Sequence, residues 1–209
     1  TVMNYTEAYT CYPLKCLLDP TTPRNEGSYK PVRVIAPEGS ILNPRFPAAV
    51  NARQLVGHVL SGMLCDALSS AIPQRIIGES GSAPTLRCVI AGMAESGQPF
   101  SSILFLNGGM GARPGADGLA TTCFPSTVMA GAMEAVEAVS PLRIWHKEFA
   151  VDSGGPGRFR GGLGQEVEVE VLSATSAIVS LFVERTRHPA RGVLGGKLAP
   201  VRPPIRAAF

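Results

Sequence analysis

The chain has 209 residues, 45% hydrophobic and 17% charged, which is enough apolar material to bury a core and argues against disorder. Its net charge of +3 is small and dispersed, so it implies neither a nucleic-acid partner nor a membrane surface. No run approaches the ~20 apolar residues of a membrane span, no basic segment with an apolar core stands at Thr1, and Cys11, Cys16, Cys65, Cys88 and Cys123 form no CxxC pair, so reduced thiols in a cytoplasmic protein are expected.

The 18 prolines and 23 glycines predict many turns within one continuous unit, residues 1–209, with residues 197–209 as a frayed tail. In chain order, Ala8, Tyr12, Leu14, Cys16, Leu17 and Leu18 suit a short helix over 6–18, stopped by Asp19-Pro20. A loop follows, then a brief strand over 32–36 and a turn at Pro37-Glu38-Gly39-Ser40. Asn43-Pro44 and Phe46-Pro47 exclude a helix there. Leu55, Val59, Met63 and Leu64, with Leu60 and Leu68 beside them, mark a helix over 51–72 expected to pack on a sheet.

Strands are predicted over 86–91 and 102–106, a short helix or turn over 133–139, and a strand over 142–151. Glu166-Val167-Glu168-Val169-Glu170-Val171 alternates with period two, the pattern of a half-buried antiparallel strand. Residues 177–183 are expected to return as its hairpin partner across a turn at 173–176. The fold class is therefore α+β: a mixed, largely antiparallel sheet with packed helices and long Gly/Pro-rich loops.

Two glycine loops stand out. The first, residues 107–118, reads NGGMGARPGADG; the second, residues 152–164, reads DSGGPGRFRGGLG. Consecutive glycine amides can cradle a phosphate or carboxylate, and the first loop offers Gly108, Gly109, Met110 and Gly111 with Arg113 and Asp117 to orient a substrate or pair with each other. Its other reading is a tight structural crossover. It has no Lys-Ser/Thr end and no GxGxxG, so it is not a P-loop or dinucleotide fingerprint. In the second loop Arg158 and Arg160 flank Phe159, a spacing that in a strand would put both guanidiniums on one face to brace carboxylates of this or a neighbouring chain. A single such copy is a poor nucleic-acid box.

Weaker patterns lie elsewhere. Gly78-Glu79-Ser80-Gly81-Ser82 approaches a nucleophile elbow but ends in serine. Cys123 is a candidate nucleophile with His146, against the default of inert packing. His58, His146 and His188 share no metal-ligand spacing, and His58 reads as a helix-surface or satisfied core residue. Glu184-Arg185-Thr186-Arg187 reads as a solvated edge, with the wall of a cleft as its other reading.

Four ordered motifs carry a family likeness. Leu14-Lys15-Cys16-Leu17-Leu18-Asp19-Pro20 with Pro23-Arg24-Asn25-Glu26-Gly27, the segment Ala36-Pro37-Glu38-Gly39-Ser40-Ile41-Leu42-Asn43-Pro44, and both glycine loops resemble the hydantoinase B/oxoprolinase family over roughly residues 8–196. The resemblance implies part of a B-type subunit of an ATP-dependent enzyme acting on small cyclic amides such as hydantoins or 5-oxoproline, with ketone carboxylases as relatives. It implies an A-type subunit as partner, and ATP and a divalent metal for the complete enzyme. Because the likeness is to the C-terminal part of B-type chains, an N-terminal B-type half is a further implied partner, and no cofactor is expected on this chain alone. The family's aspartate and histidine ligands lie in that N-terminal portion, so no metal ligand is carried over. Thr121-Thr122-Cys123-Phe124-Pro125-Ser126 stands where many relatives have a histidine-containing segment, so no histidine-dependent step is carried over and no catalytic residue is assigned. The competing readings are a non-catalytic subunit-interaction module or truncated relic, or a component of a related ketone carboxylase.

Overall fold

The computed structural model describes residues 1–81, 87–122, 124–126, 128–172 and 174–201. The first helix, α1 (Met3–Leu18), keeps Thr6, Pro13, Lys15 and Leu17 buried. Its end is closed by a side chain. Lys15 Nζ donates to the Asp19 carboxylate at 2.8 Å and to the Thr22 carbonyl at 2.8 Å, placing a cation where the helix dipole is negative. The loop predicted beyond it contains a single turn of helix, α2 (Glu26–Tyr29), held by a reciprocal capping box between Asn25 and Ser28.

No strand forms over 32–36. The chain runs there without turn or bend, because a strand needs a neighbouring ladder and the Pro37–Asn43 turn closes on itself instead, through Gly39 N to Asn43 O at 2.7 Å. The second long helix, α3 (Arg53–Leu68), packs against α1 rather than on a sheet. Gly57 makes the approach possible, since a Cβ there would lie 2.7 Å from the Tyr5 ring and 2.8 Å from Tyr9. Leu17, Cys65 and Ile76 form the buried centre of this helical unit, with Leu68, Ile72 and Val193 around it.

The rest of the core lies between two small sheets. Strands β1 (Arg87–Ala94) and β2 (Pro99–Phe105) pair antiparallel, helix α4 (Met133–Val139) follows, and β3 (Leu142–Phe149), β4 (Gln165–Val171) and β5 (Ala174–Phe182) complete the chain order. The mixed α+β architecture with antiparallel pairing is the one expected. The pairing of the last strands is not. β4 pairs with β3, and β5 leaves it to join β1, giving the orders β2-β1-β5 and β3-β4. The alternation of β4 reported only that one face is buried. Which strand it meets follows from the core, where Val169 and Val171 lie beside Leu142 and face Cys88, Ile90 and Leu104 of the other sheet. β1, apolar on both faces, takes the central position.

Among the described residues, no helix is long and apolar enough to cross a membrane. Lys197 N and Ala199 N donate to Pro156 O and Ala190 O at 3.0 and 2.9 Å. The predicted tail beyond residue 201, Cys123, Ser82, Leu86 and Ser173 lie outside the described residues.

Candidate functional site

The two glycine loops meet. Residues 107–111 leave β2 as a buried segment, and the second loop crosses it so closely that a Cβ on Gly109 would lie 1.7 Å from the Gly162 carbonyl oxygen. A Cβ on Gly162 would lie 2.1 Å from Leu119 O, and one on Gly118 2.0 Å from Met110 O. Only glycine lets three backbones approach to this degree. Hydrogen bonds stitch the crossing: Met110 N to Leu119 O (2.9 Å), Gly162 N to Met110 O (2.8 Å), Gly118 N to Arg160 O (2.8 Å) and Thr121 N to Leu163 O (2.7 Å). The amides of Met110 and Gly118 are thus committed to carbonyls.

A polar rim surrounds the crossing. Asp117 Oδ1 accepts from Arg160 N at 2.7 Å, and Arg113 donates from Nε and a terminal nitrogen to Asp117 O at 3.2 and 3.1 Å. Asp117 therefore ties Arg113 to the second loop through backbone groups, not through a guanidinium–carboxylate pair. Arg158 lies on a bend and Arg160 just beyond it, neither on a strand, so the same-face argument does not apply. Both are exposed; Arg158 leans over the Phe159 ring at 5.7 Å, and among the described residues neither guanidinium meets a carboxylate.

Under the first loop, a second strip of backbone carries groups that sequence spacing did not connect. Gly78 N and Gly81 N donate to Ala112 O and Gly109 O, both at 2.8 Å. Between them Glu79 is nearly enclosed. It accepts from the Arg185 guanidinium in a short contact and from Arg191 N at 2.7 Å, and the Glu79 and Arg185 side chains are 12% and 13% exposed. Arg185 is accordingly part of a largely, not fully, buried ion pair rather than a solvated edge.

Beside it, His58, Ser61, Gly62 and Cys65 of α3 face Gly78, Ser80 and Phe124 around a cavity of about 10 Å³. His58 is 6% exposed. Both its ring nitrogens, with Ser61 Oγ and Ser80 Oγ, are buried without a hydrogen-bond partner among the described residues, so it is neither a surface nor a satisfied core histidine. Burial holds its pKa down to about 4 and pushes the Cys65 thiol up, leaving a neutral imidazole and a neutral thiol at pH 7. The i, i+3, i+7 spacing of His58, Ser61 and Cys65 on one helix face was the available signal.

An open hollow of about 540 Å³ is lined by Pro156 of the second loop together with Arg191, Gly192, Gly196, Lys197 and Leu198. The candidates Gly108, Gly109, Met110, Gly111, Arg113, Asp117, Arg158 and Arg160 line neither space. His146 pairs across the strands with Glu168 at 3.1 Å.

A divalent metal does not fit the residues present, because among the described residues no three His, Cys, Asp or Glu side chains gather to hold one. In the first loop the Met110 and Gly118 amides already have backbone acceptors, so an anion cradle there would not use those two groups.

Comparison with known proteins gives one consistent result. The family model described as hydantoinase B/oxoprolinase matches residues 1–203. The chain is 30% identical over 163 residues to the B-type subunit of a putative D-/L-hydantoinase from Pseudomonas sp. (strain NS671), covering 75% of this chain and 27% of that one. It is 30% identical over 199 residues to the 5-oxoprolinase of Dictyostelium discoideum, covering 94% and 14%. Among solved structures, the ATP-dependent caprolactamase from Pseudomonas jessenii is similar with a TM-score of 0.70 at 27% identity, covering 83% of this chain and 30% of that chain. A nucleotide-free acetone carboxylase shares the fold, with a TM-score of 0.72 at 19% identity over 95% of this chain and 27% of that one. The chain thus spans a third or less of these relatives. With the match running across both glycine loops and the helical unit, the chain belongs to the hydantoinase B/oxoprolinase family.

Proposed function

We propose that this chain is part of the B-type subunit of an ATP-dependent cyclic-amide hydrolase of the hydantoinase or 5-oxoprolinase type. Its interlocked glycine loops form one wall of the substrate site, and an N-terminal B-type half and an A-type subunit complete it. ATP and metal chemistry belong to those other parts. The observation that carries the reading is the rim. Asp117 and the crossed backbones hold Arg113, while Arg158 and Arg160 stay exposed without carboxylate partners among the described residues. Guanidiniums in that state suit the carbonyl and carboxylate oxygens of a lactam, an imide or their ring-opened products.

The test is turnover of hydantoin, 5-oxoproline and caprolactam, coupled to ATP hydrolysis, by the chain alone and with both partners. Turnover is expected only in the full assembly, and Arg158→Ala with Arg160→Ala should lower kcat/KM by roughly tenfold or more. Activity of the chain alone, or a full assembly inert toward every cyclic amide, would overturn the reading. A second reading, a subunit-interaction module without a substrate contact, is favoured by the fact that backbone already fills the space beside Gly109, Gly118 and Gly162. It predicts that the double arginine variant leaves kcat/KM unchanged.

A further inference from the structure

We infer that residues 32–46 are a docking arm, and that its occupant is an extended segment of the B-type polypeptide lying outside residues 1–209. This rests on the function proposed above. Val32-Arg33-Val34-Ile35-Ala36 has the composition of a strand, runs without turn or bend, and is unpaired: among the described residues the backbone groups of Arg33, Val34 and Ile35 have no hydrogen-bond partner. Unpaired backbone of strand-forming sequence is a template for another strand.

The arm is held in place. Thr6 Oγ1 donates to Leu42 O at 2.7 Å, Asn43 Nδ2 to Ala36 O at 3.1 Å, and Asn43 N to Ser40 O at 3.1 Å. On this tethered frame Ile35, Ile41 and Phe46 are 77%, 70% and 98% exposed. The Asn43–Ala36 bond closes the loop between them, with Ile35 next to one end and Phe46 three residues beyond the other. The exposed pair Arg45–Glu38, 3.5 Å apart, lies beside them. Apolar anchors on an ordered backbone with a charged rim are the anatomy of a protein interface. The occupant follows from length, since the chain covers 27% of the B-type hydantoinase polypeptide and 32% of the beta polypeptide of the Pseudomonas jessenii caprolactamase. Most of a B-type polypeptide therefore lies outside the residues that form this arm.

The test uses the B-type assembly purified from its source, with a photo-crosslinking side chain at Ile35, at Phe46 or, as a control, at the exposed turn residue Glu95. Adducts from 35 and 46, but not 95, with B-type sequence outside residues 1–209 are expected. Ile35→Lys with Phe46→Asp should weaken that association roughly tenfold or more, with the circular dichroism of the isolated chain unchanged because both side chains are exposed. Adducts only with a second copy of the arm, only with an unrelated protein, or none at all would overturn the inference while B-type sequence in the assembly keeps the proposed function standing. An assembly without further B-type sequence would overturn both.

Discussion

Replacing Gly109 by alanine puts a methyl carbon 1.7 Å from the Gly162 carbonyl oxygen and 2.2 Å from its carbon. Neither is a flexible side-chain end, so a whole backbone segment must retreat by more than 1 Å. Gly162 is itself anchored by its amide bond to Met110 O at 2.8 Å, and Met110 by its own to Leu119 O at 2.9 Å. Retreat stretches both. Overpacking costs about 1–3 kcal/mol, and two weakened buried hydrogen bonds add about 1 kcal/mol each, so the loss is roughly 3–5 kcal/mol against a typical total of about 5–15. For a chain of this size that lowers Tm by about 10 °C. Urea and thermal unfolding of Gly109→Ala beside Gly131→Ala make the measurement, because nothing lies within 4 Å of a Cβ at Gly131 and that variant should match the parent. A Gly109→Ala protein within about 2 °C of the parent, at unchanged m-value, would refute the interlock.

Removing Glu79 by alanine leaves the largely buried Arg185 guanidinium unpaired; a loss of about 2–3 kcal/mol in urea unfolding is expected, below the range for a fully buried pair, with Glu79→Gln intermediate. His58 makes stability pH-dependent: its folded pKa of about 4 lies below its ordinary 6.5, so the unfolded chain binds more protons between these values. Stability from this residue is full above pH 6.5, falls as the pH drops, and is lower by roughly 3 kcal/mol at and below pH 4; His58→Gln should flatten that slope in pH-resolved unfolding. Asp117→Ala removes the acceptor for Arg160 N and should cost about 1 kcal/mol while speeding proteolysis between residues 156 and 161.

Local pattern was legible where one segment decides its own structure. The period of Leu55, Val59 and Met63 marks α3, and the alternation of residues 166–171 marks β4. Partner choice was not legible, because alternation says that one face is buried and is silent on what buries it. The strand-like residues 32–36 show the same gap from the other side: their composition favours a ladder, and no ladder strand is supplied among the described residues. The i, i+3, i+7 relation of His58, Ser61 and Cys65 was readable, but the cavity they face depends on Ser80 from another segment. Glu79 and Arg185 are 106 residues apart, and no spacing rule connects them.

The glycine loops carry the sharpest version of this problem. A glycine run says that something approaches the backbone closely, and the sequence alone leaves open whether that is a ligand or another stretch of the same chain. At Gly109, Gly118 and Gly162 it is another stretch of the chain, with carbonyl oxygens within about 2 Å of where a Cβ would stand. The Cβ faces of those glycines are therefore taken up by backbone, and under the function proposed above the test of substrate contact falls on the exposed side chains of Arg158 and Arg160. Mutating the glycines would test folding, and mutating the arginines would test binding. A variant set that lost activity in both groups at equal stability would mean that backbone and side chains touch the substrate together, and one that lost it only in the arginine group would leave the glycines a purely structural part.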